Sequence, residues 1–259
     1  MGIMSDLFPA TAFADFVKAP GPNVRAAIAE LWQKQARGNA QIEEHAVLAR
    51  DLTSSVSRLD PATSIPTGCI VLSTAKTGWV AVYYNAIEGM SLAGYLARRF
   101  TSEAAHFRLM ADTVKRQGKT LVGRFGVVRL EYFRDGDQVR QIINVNDQGK
   151  WRFGHNGEQL PFEDAQNYKA PRVVDRFTPG MLLTYLAALG LRPYEDDFFL
   201  VSSRQPAEGL TLTWGPQRRN EAAPKSLADV RREWGLTDDV INHLLQAQSR
   251  PSSPRKPRG

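Results

Sequence analysis

Two tight turns within residues 122–153 constrain the fold of this chain more than any other feature. The sequences RDGD, at residues 134–137, and NDQG, at residues 146–149, separate three runs of β-branched and aromatic residues. Glycine adopts the positive φ angles that tight hairpin turns require, so Asp-Gly between such runs is a strong local signal for a hairpin. The pattern predicts a three-stranded antiparallel meander.

Short apolar runs bounded by Gly, Pro or Ser predict further strands. They lie at residues 69–73, 78–84, 106–110, 198–201 and 210–214. For residues 106–110 a helix stays open as an alternative, and residues 210–214 are predicted as an edge strand or a hairpin arm. Together with the meander, these runs predict an antiparallel β-sheet.

The helix with the clearest predicted ends spans residues 178–190. Thr178 can cap it, and Pro179 takes the first helical position, where a missing N–H costs nothing. Gly190 can end it in the left-handed conformation. The apolar face at helical spacing includes Leu182, Leu186 and Leu189. We expect this face to be buried against the sheet, which makes the fold α+β.

Proline and glycine clusters divide the chain into four predicted segments. Residues 1–60 carry apolar residues at roughly helical spacing and are predicted to be a helical region. Residues 61–215 are predicted to form the α+β core and residues 216–248 a C-terminal helical hairpin. Residues 249–259 are predicted to be a disordered basic tail.

The net charge of +6 is concentrated at the C-terminus. Four basic residues and no acid lie in residues 249–259, so the rest of the chain is close to balanced. A Pro/Ser/Arg segment cannot build a core, so we expect a solvated tail whose deletion leaves the melting temperature nearly unchanged. A phosphate-binding arm is the alternative function for this tail.

Cysteine content and hydropathy indicate the cellular compartment of the protein. The chain has no apolar run long enough for a transmembrane helix and begins without the pattern of a signal peptide. Cys69 is the one cysteine, which excludes an intrachain disulfide, and its apolar surroundings predict a buried, inert thiol. We expect a cytoplasmic protein without a membrane partner.

The sequence carries no signature of a catalytic, cofactor or metal site. His45, His106, His155 and His243 are scattered without ligand spacing, so we expect surface or structural histidines. Neither a phosphate-binding loop nor a nucleophile elbow occurs. We therefore predict no catalytic residue, cofactor or metal. An enzyme whose catalytic residues converge only in three dimensions is the alternative.

Residues 230–246 resemble a DNA-binding helix-turn-helix, with Gly235 at the turn. Arg231 stands where this motif needs a small residue, and Asp238 and Asp239 open the second helix, where acids repel phosphate. A plain helical hairpin packed on the core is therefore the favoured interpretation, and DNA binding through this hairpin and the basic tail is the alternative.

Three stretches resemble immunity-type proteins of bacterial polymorphic toxin systems. The matching segments are residues 145–151, with Val-Asn-Asp-x-Gly-x-Trp, residues 160–164, with LPFED, and residues 175–190, which begin with DRFT. The strand predicted at residues 78–84 is also similar. The resemblance implies a protein that binds and neutralises a toxin; residues before 61 and after 224 lie outside it.

We therefore expect a non-enzymatic binding protein with a protein partner, a toxin if the resemblance holds. Exposed aromatic residues on a sheet are suitable anchors for such an interface. The candidates in the predicted strands are Tyr83, Tyr84, Tyr132, Trp151 and Phe153. Side chains alternate between the two faces of a strand, so about half of these aromatics should face the core.

Overall fold

A computed structural model describes residues 2–36, 40–46, 51–87, 91–202, 207–214 and 223–246. The strands are β1 (Phe13–Lys18), β2 (Ala40–Ala46), β3 (Gly68–Ser73), β4 (Trp79–Tyr84), β5 (Glu103–Met110), β6 (Lys115–Gln117), β7 (Thr120–Val122), β8 (Val127–Arg134), β9 (Asp137–Asp147), β10 (Lys150–Gly157) and β11 (Glu208–Trp214). The α-helices are α1 (Ile3–Asp6), α2 (Gly21–Ala36), α3 (Leu52–Val56), α4 (Ala93–Phe100), α5 (Pro179–Ala188), α6 (Leu227–Trp234) and α7 (Asp238–Gln246). Short 3₁₀ helices occur at Ser57–Leu59, Asn167–Lys169, Val173–Asp175 and Asp196–Phe198. The α+β class predicted from the sequence is confirmed.

Nine of the strands form one antiparallel sheet in the order β10-β9-β8-β5-β1-β4-β3-β11-β2. The middle strand is β1, which comes from the predicted helical region at residues 1–60. That prediction is wrong for β1 and also for β2, which pairs with β11. Five of the six β1 residues are buried, so the strand lacks the alternation that would distinguish it from a buried helix.

The predicted meander is confirmed as β8, β9 and β10. Asp135 and Gly136 have φ angles of 55° and 92°, and Gln148 and Gly149 have 51° and 91°, so both turns use the left-handed region as expected. A register shift at Tyr132/Phe133 interrupts the β8–β9 ladder near the first turn. The local sequence therefore determines both the strands and the turns of this part of the sheet.

The two faces of the sheet are named here after adjacent residues of β1, Asp15 and Phe16. Over the centre of the Asp15 face, α2 packs on β3 and β11, and α4 packs on β1, β5 and β8. On the Phe16 face, Phe16 contacts the rings of Phe107 and Phe198. The centre of the sheet is therefore buried on both sides.

Helix α5 packs on the Phe16 face as predicted. The Thr178 hydroxyl accepts a hydrogen bond from the Met181 amide at 3.3 Å, and Gly190 follows with φ of 73°. Leu186 is fully buried, which confirms the predicted register. Lys76 donates to the Leu189 carbonyl at 2.5 Å and joins the end of the helix to the turn between β3 and β4.

Three further local predictions are wrong. Residues 198–201 overlap a 3₁₀ helix at Asp196–Phe198, although Phe199 makes a single bridge to Thr74. The strand β11 is neither an edge strand nor a hairpin arm, because it lies between β3 and β2, which are both distant in sequence. Within the predicted helical region, the described residues of the range 42–59 belong to β2, α3 and a 3₁₀ turn and not to one helix. In each case the outcome depends on pairing with segments distant in sequence, which local patterns do not show.

The predicted C-terminal helical hairpin is confirmed as α6 and α7, joined at Gly235 with φ of 64°. The predicted tail, residues 249–259, and the predicted boundary at residue 216 lie outside the described residues. Of the helices in the described part of the chain, none combines the length and apolarity needed to cross a bilayer.

Candidate functional site

The first two predicted anchors are unavailable to a partner. Tyr83 and Tyr84 have no exposed surface, because β4 lies in the middle of the sheet and is buried on both faces. The Tyr83 hydroxyl donates to the Pro193 carbonyl at 3.4 Å, and the Tyr84 hydroxyl donates to Asp15 at 2.8 Å. Their prediction as interface residues is therefore corrected to core residues.

The other three aromatics lie in the meander on the Phe16 face. Tyr132 is 6% exposed and donates to Glu103 at 2.7 Å, so it is also a core residue. Trp151 and Phe153 are half-buried, and the Phe153 ring lies 5.2 Å from that of Tyr168. The structure thus leaves Trp151 and Phe153 partly accessible but does not bring the five aromatics together in one surface.

The opposite face of the same three strands is more open. Nine residues form three cross-strand rows there, and we call them the open sheet face. The rows are Val127–Val145–Arg152, Arg129–Ile143–Gly154 and Glu131–Gln141–Asn156. Eight of these residues are half-buried or exposed, and Glu131 alone is buried. The surface combines aliphatic side chains in the first two rows with polar side chains around them.

The buried carboxylate of Glu131 organises the polar part of the open sheet face. One of its oxygens accepts hydrogen bonds from Arg129 at 2.7 Å, Gln138 at 2.7 Å and Gln141 at 2.8 Å. These contacts hold three long side chains in fixed positions. Within the described part of the chain, Nε of Arg129 is a buried donor without an acceptor.

A row of polar residues continues from the open sheet face into the centre of the sheet. Glu131 is paired across the strands with His106, and His106 with Asp15. Nδ1 of His106 lies 2.8 Å from Oδ1 of Asp15. An Asp–His pair of this kind can orient a general base in an enzyme, so its access to solvent decides its role.

The Asp15–His106 pair is enclosed. Asp15 is fully buried and His106 is 3% exposed. The Asp15 carboxylate also accepts hydrogen bonds from Tyr84, from the Ser91 hydroxyl at 2.9 Å and from the Leu92 amide at 2.6 Å, at the start of α4. Burial, reinforced by the charge of Asp15, raises the pKa of Tyr84 well above its ordinary range, so its hydroxyl stays a donor. These hydrogen bonds fix the start of α4 on the sheet.

A second buried ion pair lies on the Phe16 face. Arg140 contacts Glu163 through two hydrogen bonds of 2.8 and 2.6 Å, and the Tyr168 hydroxyl donates to Glu163 at 2.7 Å. Arg140 also donates to the Gly157 carbonyl at 3.0 Å. These groups lie on β9, on β10 and in residues 158–170. The network therefore holds residues 158–170 over the Phe16 face of the sheet.

In the part of the chain that the structure describes, the histidines and Cys69 do not form a metal-binding cluster. Among the described residues no group of three His, Cys, Asp or Glu side chains could hold a metal ion. Cys69 is buried, and burial raises the pKa of its thiol, so the thiolate that nucleophilic chemistry needs is disfavoured.

Comparison with known proteins gives no match: no family model, no curated protein and no solved structure is similar to this chain.

The open sheet face was not identified from the sequence, although a signal was present. Along β8, the polar residues Arg129 and Glu131 alternate with the apolar residues Val128 and Leu130. Polar residues at every second position predict a face directed away from the core. The predicted anchors Trp151 and Phe153 lie on the Phe16 face, opposite the polar positions of β8.

Proposed function

We propose that this protein is a non-enzymatic binding protein and that its open sheet face holds a protein partner. The observation that carries this proposal is the contrast between the two faces of the β8–β9–β10 meander. Aliphatic side chains on the open sheet face are left half-exposed, while those on the Phe16 face are buried. An apolar centre with a polar rim is the usual composition of a protein interface.

The chemistry of the open sheet face favours a protein over a nucleic acid at this surface. Its apolar members, Val127, Ile143 and Val145, are aliphatic, whereas bases stack on aromatic rings. Arg129 and Arg152 flank them, and Nε of Arg129 needs an acceptor. We therefore propose a partner whose contact surface combines apolar side chains with carboxylates.

The edge strand β10 provides a second mode of contact beside the open sheet face. Among the described strands it pairs only with β9, over eight residues. An extended segment of a partner can add to such an edge through main-chain hydrogen bonds. The exposed charges of Lys150 and Arg152 limit indiscriminate pairing of this edge.

The resemblance to immunity-type proteins supplies the class of the partner. Its main segments include the last three residues of β9, the start of β10 and parts of the chain that covers the Phe16 face. A bacterial toxin neutralised by stoichiometric binding is the partner that this resemblance implies, and we include it in the proposal.

The test is a titration of the recovered partner against the purified protein. We expect saturation near equimolar ratio, and Ile143→Glu should weaken binding at least tenfold, since one desolvated carboxylate in an interface costs roughly 2 kcal/mol or more. Leu200→Glu is the control, because Leu200 is an exposed apolar residue outside the open sheet face.

Two outcomes would contradict the proposal. Equal loss of binding in Ile143→Glu and Leu200→Glu, with both variants folded, would remove the open sheet face from the interface. Catalytic turnover by the purified protein that disappears in His106→Asn would instead assign an enzymatic role to the Asp15–His106 pair.

A further inference from the structure

The hairpin formed by β6 and β7 is the most basic short segment of the described chain. It forms a two-stranded sheet separate from the nine-stranded one. Residues 113–124 contain four cations and no acid, and residues 115–121 are all exposed. Leu121 belongs to this exposed stretch with 47% of its surface accessible. The hairpin thus presents a concentrated positive charge to solvent.

The cations of this hairpin lack the carboxylate partners that several exposed cations elsewhere possess. Lys34, Arg172 and Arg192 each form an ion pair with an acid three or four residues away. Within the described part of the chain, Lys115, Arg116 and Lys119 take part in no ion pair. Their mutual repulsion is therefore not compensated by the protein itself, and a bound polyanion would compensate it.

The base of the hairpin is fixed to the end of α6. The Thr113 amide donates to the Arg124 carbonyl at 2.9 Å, and the Arg124 amide donates to the Thr113 hydroxyl at 2.9 Å. The Thr113 hydroxyl in turn donates to the Trp234 carbonyl, and the Arg124 guanidinium lies 4.6 Å from the centre of the Trp234 ring. A hairpin held in this way loses little orientational freedom on binding.

Gly123 makes this attachment possible. Its φ of 103° is a conformation that other residues avoid, and a Cβ atom there would lie 2.5 Å from the Thr113 carbonyl oxygen. The chain that follows β7 can therefore return close to Thr113, just before β6, and the base of the hairpin stays attached to the end of α6.

The cleft between the hairpin and the helix pair α6–α7 is less suited to an anion. Its volume is about 380 Å³, and its lining includes Lys115 and Arg232 but also Asp112 and Glu233. The start of α7 adds Asp238 and Asp239, which would repel phosphate. Lys115 lines this cleft and is also exposed, so the positive surface is formed by the exposed residues of the hairpin and not by the helix pair α6–α7.

We infer that the β6–β7 hairpin binds the phosphate backbone of duplex DNA through Lys115, Arg116 and Lys119. A two-stranded ribbon fits the major groove of B-form DNA, and cations on it reach the phosphates along the groove. The contacts are to the backbone, so binding depends strongly on salt and weakly on base sequence. This site is separate from the open sheet face, and either proposal can fail without the other.

The test is fluorescence anisotropy of the full chain with a short labelled duplex over a range of salt concentrations. Three phosphate contacts predict a slope of log K against log salt of roughly −2 to −3. The triple variant Lys115→Ala, Arg116→Ala, Lys119→Ala should lose at least about tenfold in affinity and most of this slope. Lys119→Ala alone should reduce the slope by about 1.

A charge-matched control distinguishes a local effect of the hairpin cations on DNA affinity from a general effect of net charge. Arg58, Lys169 and Arg172 are exposed cations on other segments, and their joint replacement by Ala removes the same charge. This control should stay within about twofold of the unmodified chain, because screening confines the effect of a charge to about 10 Å at ordinary salt. Equal losses in the two triple variants would overturn the assignment.

Two further arms identify the source of binding and the class of ligand. The chain without residues 249–259 should retain the hairpin-dependent part of the slope. Loss of all binding in this truncated chain, with full binding in the hairpin variant, would assign DNA to the tail and overturn the proposal. Polyglutamate and unlabelled duplex are compared as competitors at equal total charge. If polyglutamate displaces the labelled duplex equally well, an acidic protein surface is an equivalent ligand and the DNA proposal is overturned.

Discussion

The two faces of the β8–β9–β10 meander are built from alternate residues of the same strands but differ in their environment. On the Phe16 face, Val128, Leu130 and Ile142 are buried beneath the chain that follows β10. On the open sheet face, Val127 and Ile143 are half-exposed although they are similar in size and branching. Side-chain type alone therefore does not decide which face becomes core; the segment that packs over the sheet does.

The ion pairs of the two faces differ in the same way. Arg140 and Glu163 are buried on the Phe16 face, where their charges depend on each other and on Tyr168. Arg152 and Asp147 form a pair of 2.8 Å beside the open sheet face, with 70% and 46% of their side chains exposed. Water can replace either partner of the exposed pair, but not of the buried pair.

Glu163→Ala should have the largest effect of the predicted changes. It leaves the Arg140 guanidinium buried without its carboxylate, which costs about 3–5 kcal/mol of unfolding free energy. Asp147→Ala is the control and should cost at most about 1 kcal/mol, because its pair is exposed. Both are measured by urea unfolding; equal losses would show that the covered face is as hydrated as the open one.

Leu186→Ala should come next, with a loss of about 2–5 kcal/mol in unfolding free energy. Leu186 is fully buried on α5, which helps to cover the Phe16 face, so truncation leaves a cavity. Thr184→Ala, at an exposed position of the same helix, is the control and should change stability by no more than about 0.5 kcal/mol. A small loss for Leu186→Ala would mean that α5 does not contribute to the cover.

The smallest effects should come from adjacent residues of β9 that point to opposite faces. Ile142→Val removes one methylene group from the buried face and should cost about 0.5–1.5 kcal/mol. Ile143→Val makes the same change on the open sheet face and should stay within about 0.5 kcal/mol. If a partner binds the open sheet face, Ile143→Val should also weaken that binding. If the two stabilities were reversed, the assignment of the faces would be wrong.

Local patterns predicted the parts of the fold whose contacts lie close together in sequence. The meander needs only neighbouring strands and two turns, and α5 needs its own cap, its apolar face and Gly190. The candidate site was predicted less well. Tyr83 and Tyr84 belong to a strand that is apolar on both faces, so its sequence cannot show that neighbours cover both sides.

The amino-acid sequence was sufficient to predict the strands and turns of the meander, both ends of α5 and the helical hairpin. Tertiary structure alone decided that β1 becomes the middle strand and that β11 pairs with β2 from the other end of the chain. It also decided which face of the meander stays open. The physical reason is that strand order and face coverage depend on contacts between distant segments, whereas turns and helix caps depend on the backbone conformations of a few consecutive residues.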